Sequence, residues 1–199
     1  RSQQSLGDYF TEHKIIGIED IDTRALTKHL RTAGAMRSCI TTELTAEEAV
    51  QKAKDSAPMA GSDFVKEVST KENYHWDKES RLWNIPSVSQ ERDGYYEELP
   101  PVKYNIVAYD FGVKYNILRS MRQQGFDITV VNARTSAEEV LALNPDGIFL
   151  SNGPGDPAAL DYIHAEIKKL LGKKPIFGIC LGHQILTHAF GDSTFKMKF

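Results

Sequence analysis

The chain has 199 residues, of which 41% are hydrophobic and 26% are charged, and its formal net charge is -3. This globular composition argues against disordered, collagenous and coiled-coil proteins, and the balanced charge argues against binding to nucleic acid or to an anionic membrane surface. No apolar run approaches the roughly 20 residues that a transmembrane helix requires, so no membrane association is expected.

Two helices are predicted in the first half of the chain. Residues 20–23 read Asp-Ile-Asp-Thr and offer two candidate N-caps for a helix over about residues 23–32, where apolar residues recur at helical spacing. Thr45 and Glu48 approximate a capping box, which predicts a second helix over about residues 45–55.

The composition changes near the middle of the chain. Proline and glycine interrupt every periodic pattern over residues 86–103, which predicts a linker there. We therefore expect part of one domain over residues 1–85 and a second domain over residues 104–199.

Strands and helices alternate regularly in the second half. Strands are predicted over residues 105–109, 127–131, 147–150 and 175–179, and helices over residues 114–124, 136–143, 158–171 and 181–190. This alternation with short connections predicts an α/β domain with a doubly wound, mostly parallel sheet, preceded by a smaller mixed α/β domain. The last residues, 193–199, have the composition of a further strand that is interrupted.

Ligands of such sheets bind at the carboxyl ends of the strands. Four polar or nucleophilic residues occupy those ends here: Asp110, Asn132, Ser151 and Cys180. Chemistry is therefore expected at this edge of the sheet.

Residues 178–182 read Gly-Ile-Cys-Leu-Gly, which has the spacing of a nucleophile elbow with cysteine as the nucleophile. The segment falls between a predicted strand and a predicted helix, as an elbow requires. The helix N-terminus favours the thiolate form of Cys180, and the backbone N–H of Leu181 can serve an oxyanion. The alternative is a small buried cysteine in a glycine-rich turn.

Residues 151–157 read Ser-Asn-Gly-Pro-Gly-Asp-Pro and follow the preceding strand. The segment is not a phosphate-binding loop, because it lacks the G-x-x-x-x-G-K-[ST] spacing. Taken alone it is a turn with Asp156 as a helix cap. Beside a cysteine elbow at the same edge, an oxyanion or substrate loop is the better interpretation.

Together, residues 178–184 and 151–157 resemble a class I glutamine amidotransferase domain. Within that class, residues 18–27, 107–119 and 144–150 resemble the small subunit of carbamoyl phosphate synthetase. The resemblance covers nearly the whole chain and is weakest across residues 70–100.

The resemblance implies a role for each matching position. Cys180 would attack the side-chain amide of glutamine, and the backbone N–H groups of Leu181 and Gly153 would hold the oxyanion. Gly153, Gly155, Leu181 and Gln184 would bind the glutamine substrate. Ammonia would pass to a large subunit, which would use ATP, Mg²⁺ and bicarbonate to make carbamoyl phosphate for pyrimidine and arginine synthesis. No cofactor or metal is implied in this subunit.

We identify no counterpart of the family's general base in this sequence. Its catalytic histidine and glutamate are expected after Phe199, and a serine that contacts glutamine is expected before Arg1. His183 and His188 lie on the elbow helix, and His164 is expected to be solvated on the preceding helix. We therefore expect a nucleophile without its base, and an inactive chain.

Two alternative functions remain open. The chain could supply ammonia to a different synthase, although the segment Asp-Ile-Asp-Thr-Arg at residues 20–24 argues against this because other amidotransferases lack such an N-terminal half. It could also be a non-catalytic regulatory subunit, although such a subunit has no use for the Cys180 thiol. A cytoplasmic location is expected, because two widely separated cysteines favour a reducing compartment.

Overall fold

The chain divides into two compact units, Arg1–Pro58 with Phe195–Phe199 and Met59–Thr194. The computed structural model describes residues 4–76 and 99–198. The predicted boundary near residue 85 and most of the predicted linker over residues 86–103 lie outside the described residues and stay predictions.

The described residues of the first unit form three helices: α1 (Leu6–Glu12), α2 (Thr23–Ala33) and α3 (Ala46–Asp55). The helices α2 and α3 confirm the predictions from their caps. The carboxylate of Asp22 accepts from the amide of Ala25, and Thr45 and Glu48 form the expected reciprocal capping box. None of the three helices contains a buried residue.

The second unit is an α/β domain. Its elements in chain order are α4 (Val65–Val68), β1 (Tyr74–His75), β2 (Tyr104–Asp110), α5 (Tyr115–Gln123), β3 (Phe126–Asn132), α6 (Ala137–Ala142), β4 (Gly147–Leu150), a 3₁₀ turn (Pro157–Ala159), α7 (Asp161–Leu170), β5 (Ile176–Gly178) and α8 (Leu181–Ala189). No helix among the described residues is long and apolar enough to cross a bilayer.

The sheet has the strand order β1-β3-β2-β4-β5. The strands β2 to β5 are parallel, which confirms the predicted α/β class, whereas β1 runs antiparallel to β3 and makes the sheet mixed.

Two expectations at the level of single elements are wrong. The helix predicted over residues 158–171 is divided into the 3₁₀ turn and α7, because the Asp156 side chain caps the turn first. The expected strand at the end of the chain is absent from the described residues 193–198, none of which pairs with a neighbouring strand.

The core of this unit lies on both faces of the sheet, as doubly wound packing requires. Alternate residues of β2 point to opposite faces. Val107 and Tyr109 join the cluster formed with α6, α7 and α8, whereas Ala108 joins the cluster formed with α5 and Trp76. All four residues are at most 3% exposed. Helices on both faces hold the central strands rigidly in place and so fix the positions of their carboxyl ends.

Candidate active site

The nucleophile elbow predicted at Cys180 is present in the backbone. The strand β5 ends at Gly178 and α8 begins at Leu181, so Cys180 occupies the turn between them. Its φ of 52° and ψ of -113° lie in a region that a residue with a side chain rarely adopts. Such a conformation costs on the order of 1–3 kcal/mol. Cys180 is a free cysteine and is exposed.

The two flanking glycines allow the strand and helix to approach closely. A Cβ on Gly178 would lie 2.6 Å from the amide nitrogen of His183, and a Cβ on Gly182 would lie 2.1 Å from the carbonyl oxygen of Leu150. Both distances are far inside van der Waals contact, so neither position accepts a side chain without movement of the backbone. The spacing of the motif is therefore a packing requirement of this turn.

The electrostatic setting of the sulfur comes from α8. Cys180 is the N-cap residue of this nine-residue helix, and no side chain caps the helix. Helix N-termini carry partial positive charge, so the sulfur lies next to the positive end of the α8 dipole. Among the described residues, no side chain hydrogen bonds to the Cys180 sulfur.

The loop over residues 151–157 lies beside the elbow, as predicted. A Cβ on Gly153 would lie 2.8 Å from Cδ2 of Leu181 and 2.1 Å from the carbonyl oxygen of Phe111. The structure therefore brings Gly153 and Leu181, the two residues expected to hold an oxyanion, into direct contact range. In the described part of the chain, no hydrogen-bond acceptor is found for either backbone amide.

The remaining predicted substrate residues, Gly155 and Gln184, lie in different surroundings. Gly155 has a φ of +102°, and a Cβ there would meet the carbonyl oxygen of Ser62 at 2.8 Å. Gln184 is exposed in the first turn of α8, and its backbone amide donates to the Cys180 carbonyl at 3.1 Å. Cys180, Leu181, Gly153 and Gln184 thus come from two adjacent βα turns.

One histidine, His164, is more buried than we expected. His164 is not solvated, because its side chain is only 13% exposed and its ring stacks on that of His188. Burial lowers the pKa of His164, and the facing His188 lowers it further. His188 also hydrogen bonds to Thr194 at 2.9 Å, whereas His183 is exposed. The stacked pair is engaged within the fold and is not directed at the sulfur.

Sequence reasoning missed a polar network beneath the loop. Asp110 is 6% exposed, and its carboxylate accepts from the amides of Thr70, Gly112 and Val113. The side chain of Asn152 binds the same stretch from the other side, accepting from Lys114 and donating to Gly112. The position of Asp110 at a strand end was the available signal, but its partner Thr70 is distant in sequence.

The site contains no evident metal position. Among residues 4–76 and 99–198, no group of three histidine, cysteine, aspartate or glutamate side chains is arranged to hold an ion. The described site offers an exposed thiol, a helix N-terminus without a side-chain cap and backbone amides.

Two family models match the chain. The model described as glutamine amidotransferase class-I matches residues 107–199, and the model described as carbamoyl-phosphate synthase small chain, CPSase domain, matches residues 1–40. The first match contains the elbow and the glycine-proline loop, and the second contains the Asp-Ile-Asp-Thr-Arg segment.

Curated relatives agree with these matches. The chain is 53% identical to the carbamoyl phosphate synthase small chain of Akkermansia muciniphila, 48% identical to that of Syntrophotalea carbinolica and 52% identical to that of Pasteurella multocida. Each alignment covers 100% of this chain and 50%, 51% and 50% of the respective relative. The chain therefore spans about half the length of the curated relatives it matches.

Proposed function

The chain belongs to the carbamoyl phosphate synthase small-chain family, and from that membership we propose that its protein is the glutamine-hydrolysing subunit of this enzyme. The observation that carries the proposal is the left-handed backbone of Cys180, in a turn where Gly153 lies beside the side chain of Leu181. This arrangement suits acyl transfer from a small amide, because it combines a nucleophile with donors for a developing oxyanion.

In the first step, the Cys180 thiolate attacks the side-chain amide carbon of glutamine. The carbonyl double bond opens, and its electron pair becomes an oxyanion that accepts from the N–H groups of Leu181 and Gly153. Removal of one such donor typically costs about 10²–10³ in kcat, so two preorganised amides supply a large share of the acceleration. The exposed sulfur and rigid turn suit this step.

In the second step, the tetrahedral intermediate collapses and its carbon–nitrogen bond breaks. The leaving nitrogen takes a proton and departs as ammonia, which leaves a thioester on Cys180. Water then attacks the thioester and releases glutamate and the thiolate. Both halves need a proton carrier, which we assign to the histidine expected after Phe199 because His164 and His188 engage each other.

The glutamine would lie over the two βα turns and would contact Gly155 in one turn and Gln184 in the other. We expect no cofactor in this subunit. The ammonia would serve a large subunit that uses ATP, Mg²⁺ and bicarbonate to form carbamoyl phosphate, which feeds pyrimidine and arginine synthesis. A cytoplasmic location is part of the same proposal.

The test uses the extended protein, by which we mean this chain together with the flanking segments expected before Arg1 and after Phe199, in complex with its large subunit. Cys180→Ser should abolish carbamoyl phosphate synthesis from glutamine and leave synthesis from ammonia unchanged, because only amide cleavage uses the thiolate.

The other outcomes separate the alternatives. Equal loss of both activities would mean that Cys180 is structural. No loss of either activity would favour a non-catalytic regulatory subunit. If Cys180→Ser abolished glutamine hydrolysis but the wild-type complex made no carbamoyl phosphate, the ammonia would serve a different synthase.

A further inference from the structure

Ser151 is the fully buried residue that follows β4, and it is one of the few polar residues in the core. Its hydroxyl oxygen accepts from the amide of Phe111 at 2.9 Å and donates to the carbonyl oxygen of Asn152 at 2.8 Å. A buried hydroxyl that both donates and accepts a hydrogen bond holds its two partners firmly. Breaking either bond would leave a buried polar group without a partner, which costs its desolvation free energy.

The carbonyl of Asn152 belongs to the same planar peptide unit as the N–H of Gly153. In a trans peptide these two groups point in opposite directions, so fixing one fixes the other. The Ser151 hydroxyl therefore determines which way the Gly153 N–H points. No other described contact to this peptide's carbonyl does so.

The backbone of Ser151 connects the same peptide to the elbow. The carbonyl oxygen of Ser151 accepts from the amide of Gly182 at 3.0 Å, and Gly182 directly follows Leu181. The amide of Ser151 donates to the Tyr109 carbonyl in β2 at 3.3 Å. One residue thus links the central strand, the glycine-proline loop and the first turn of α8.

Resting on the proposed function, we infer that Ser151 is a positioning residue that locks the Asn152–Gly153 peptide with its N–H available to the oxyanion. The lock is needed because residue 153 is a glycine, whose φ is free to change and let the peptide turn over. A reversed peptide would present the Asn152 carbonyl oxygen to the developing negative charge and would repel it.

The test compares Ser151→Ala with Ser69→Ala in the extended protein bound to its large subunit. Ser69 is the matched control, since its hydroxyl also accepts from a backbone amide at a strand end, that of Ala133 at 2.9 Å. We expect Ser151→Ala to lower kcat for glutamine hydrolysis by at least about tenfold with little change in KM, because one oxyanion donor is misaligned. Ser69→Ala should leave kcat unchanged.

Two probes of the thiol separate positioning from collapse of the elbow. The aldehyde analogue of glutamine forms a tetrahedral adduct whose oxygen occupies the oxyanion position, whereas iodoacetamide alkylates the sulfur without forming one. Ser151→Ala should weaken aldehyde binding by about the same factor as it lowers kcat. Its rate of alkylation should stay within about twofold, because the helix N-terminus is unchanged.

If alkylation and aldehyde binding fell in parallel, Ser151 would have a purely structural role and the inference would be wrong. Unchanged aldehyde binding would also overturn the inference. If Ser151→Ala does not fold, Ser151→Cys is tested in its place, because a thiol is similar in size to the serine hydroxyl but is a weaker hydrogen-bond donor. Intermediate aldehyde affinity would support the lock, and wild-type affinity would overturn it. Failure of the proposed function can be distinguished from failure of this inference, because aldehyde binding would then be unchanged in Cys180→Ser.

Discussion

The imidazole rings of His164 and His188 stack face to face, with centroids 4.6 Å apart and planes 1° apart. The pair joins α7 to α8, the helix that begins at the nucleophile. Nε2 of His164 is buried, and within the described residues it has no hydrogen-bond partner. Asp161 lies 3.7 Å from Nδ1 of His164 but is itself almost fully exposed.

This pair makes stability depend on pH. Burial and the facing ring lower the pKa of His164, so below pH about 6.5 the unfolded chain binds more protons than the folded one. The contribution of this group is therefore complete above that pH and is lost as the pH falls toward the lowered pKa. Urea unfolding of the extended protein between pH 8 and pH 5 should show this loss.

The His164→Phe variant keeps an aromatic ring for stacking and removes the titration, so its stability should change less over the same pH range. His183→Gln is the control, because His183 is exposed and lies on α8, the helix that carries the stacked partner His188. An equal acid sensitivity of wild type and His164→Phe would contradict the assignment to His164.

Gly182→Ala should be strongly destabilising, by about 3 kcal/mol, because the added carbon would lie 2.1 Å from the Leu150 carbonyl oxygen. The matched control is Gly7→Ala in α1, where the nearest heavy atom would be 3.9 Å away. That change should be neutral or stabilise by up to about 1 kcal/mol. Denaturant midpoints of the two variants measure the difference, and similar values would argue against the close approach.

The strain at Cys180 predicts an order of stability among its variants. Cys180→Ala keeps a Cβ in the left-handed backbone, whereas Cys180→Gly removes it and should be more stable by about 1 kcal/mol. Glycine normally destabilises relative to alanine, so the sign is diagnostic. Thermal unfolding of both variants gives the comparison, and a less stable glycine variant would mean that the turn is relaxed.

The 199-residue chain by itself should show no glutaminase turnover above its Cys180→Ala variant. No described side chain hydrogen bonds to the sulfur, and loss of general acid–base catalysis costs about 10²–10⁴-fold. The chain should also tend to aggregate, since Phe177 on the outermost strand β5 is 65% exposed and Phe190 is 71% exposed.

Release of ammonia from glutamine, measured with a coupled glutamate assay, checks the first expectation. The extended protein should regain activity. If the 199-residue chain matched the extended protein, a base would have to exist within it, and His183 and His188 would be the residues to substitute next.

The sequence predicted the elements of the second unit well because their patterns are local. Four apolar strands with helices between them give the sequence an alternating pattern, and the two glycines that flank Cys180 mark the turn between β5 and α8. The elbow could therefore be located to the residue, since its sequence motif lies within residues 178–182.

Features that depend on distant partners could not be predicted. The strand β1 has two residues, Tyr74 and His75, and exists only because β3 pairs with it. The Ser151 hydroxyl accepts from the amide of Phe111, which follows another strand, and the ring of His164 stacks on a residue of α8. Such contacts form only in the assembled sheet, and no local sequence pattern indicates them.

The strand order also has a consequence for how the protein is made. As the chain leaves the ribosome, β3 can join β2, β4 can then join the other side of β2, and β5 can join β4. Each of these parallel strands finds its neighbour already synthesised. The unfavourable backbone at Cys180 is thus formed only after β2, β3 and β4 have been synthesised and are able to stabilise it. Incomplete chains consequently emerge without a reactive thiol held in position.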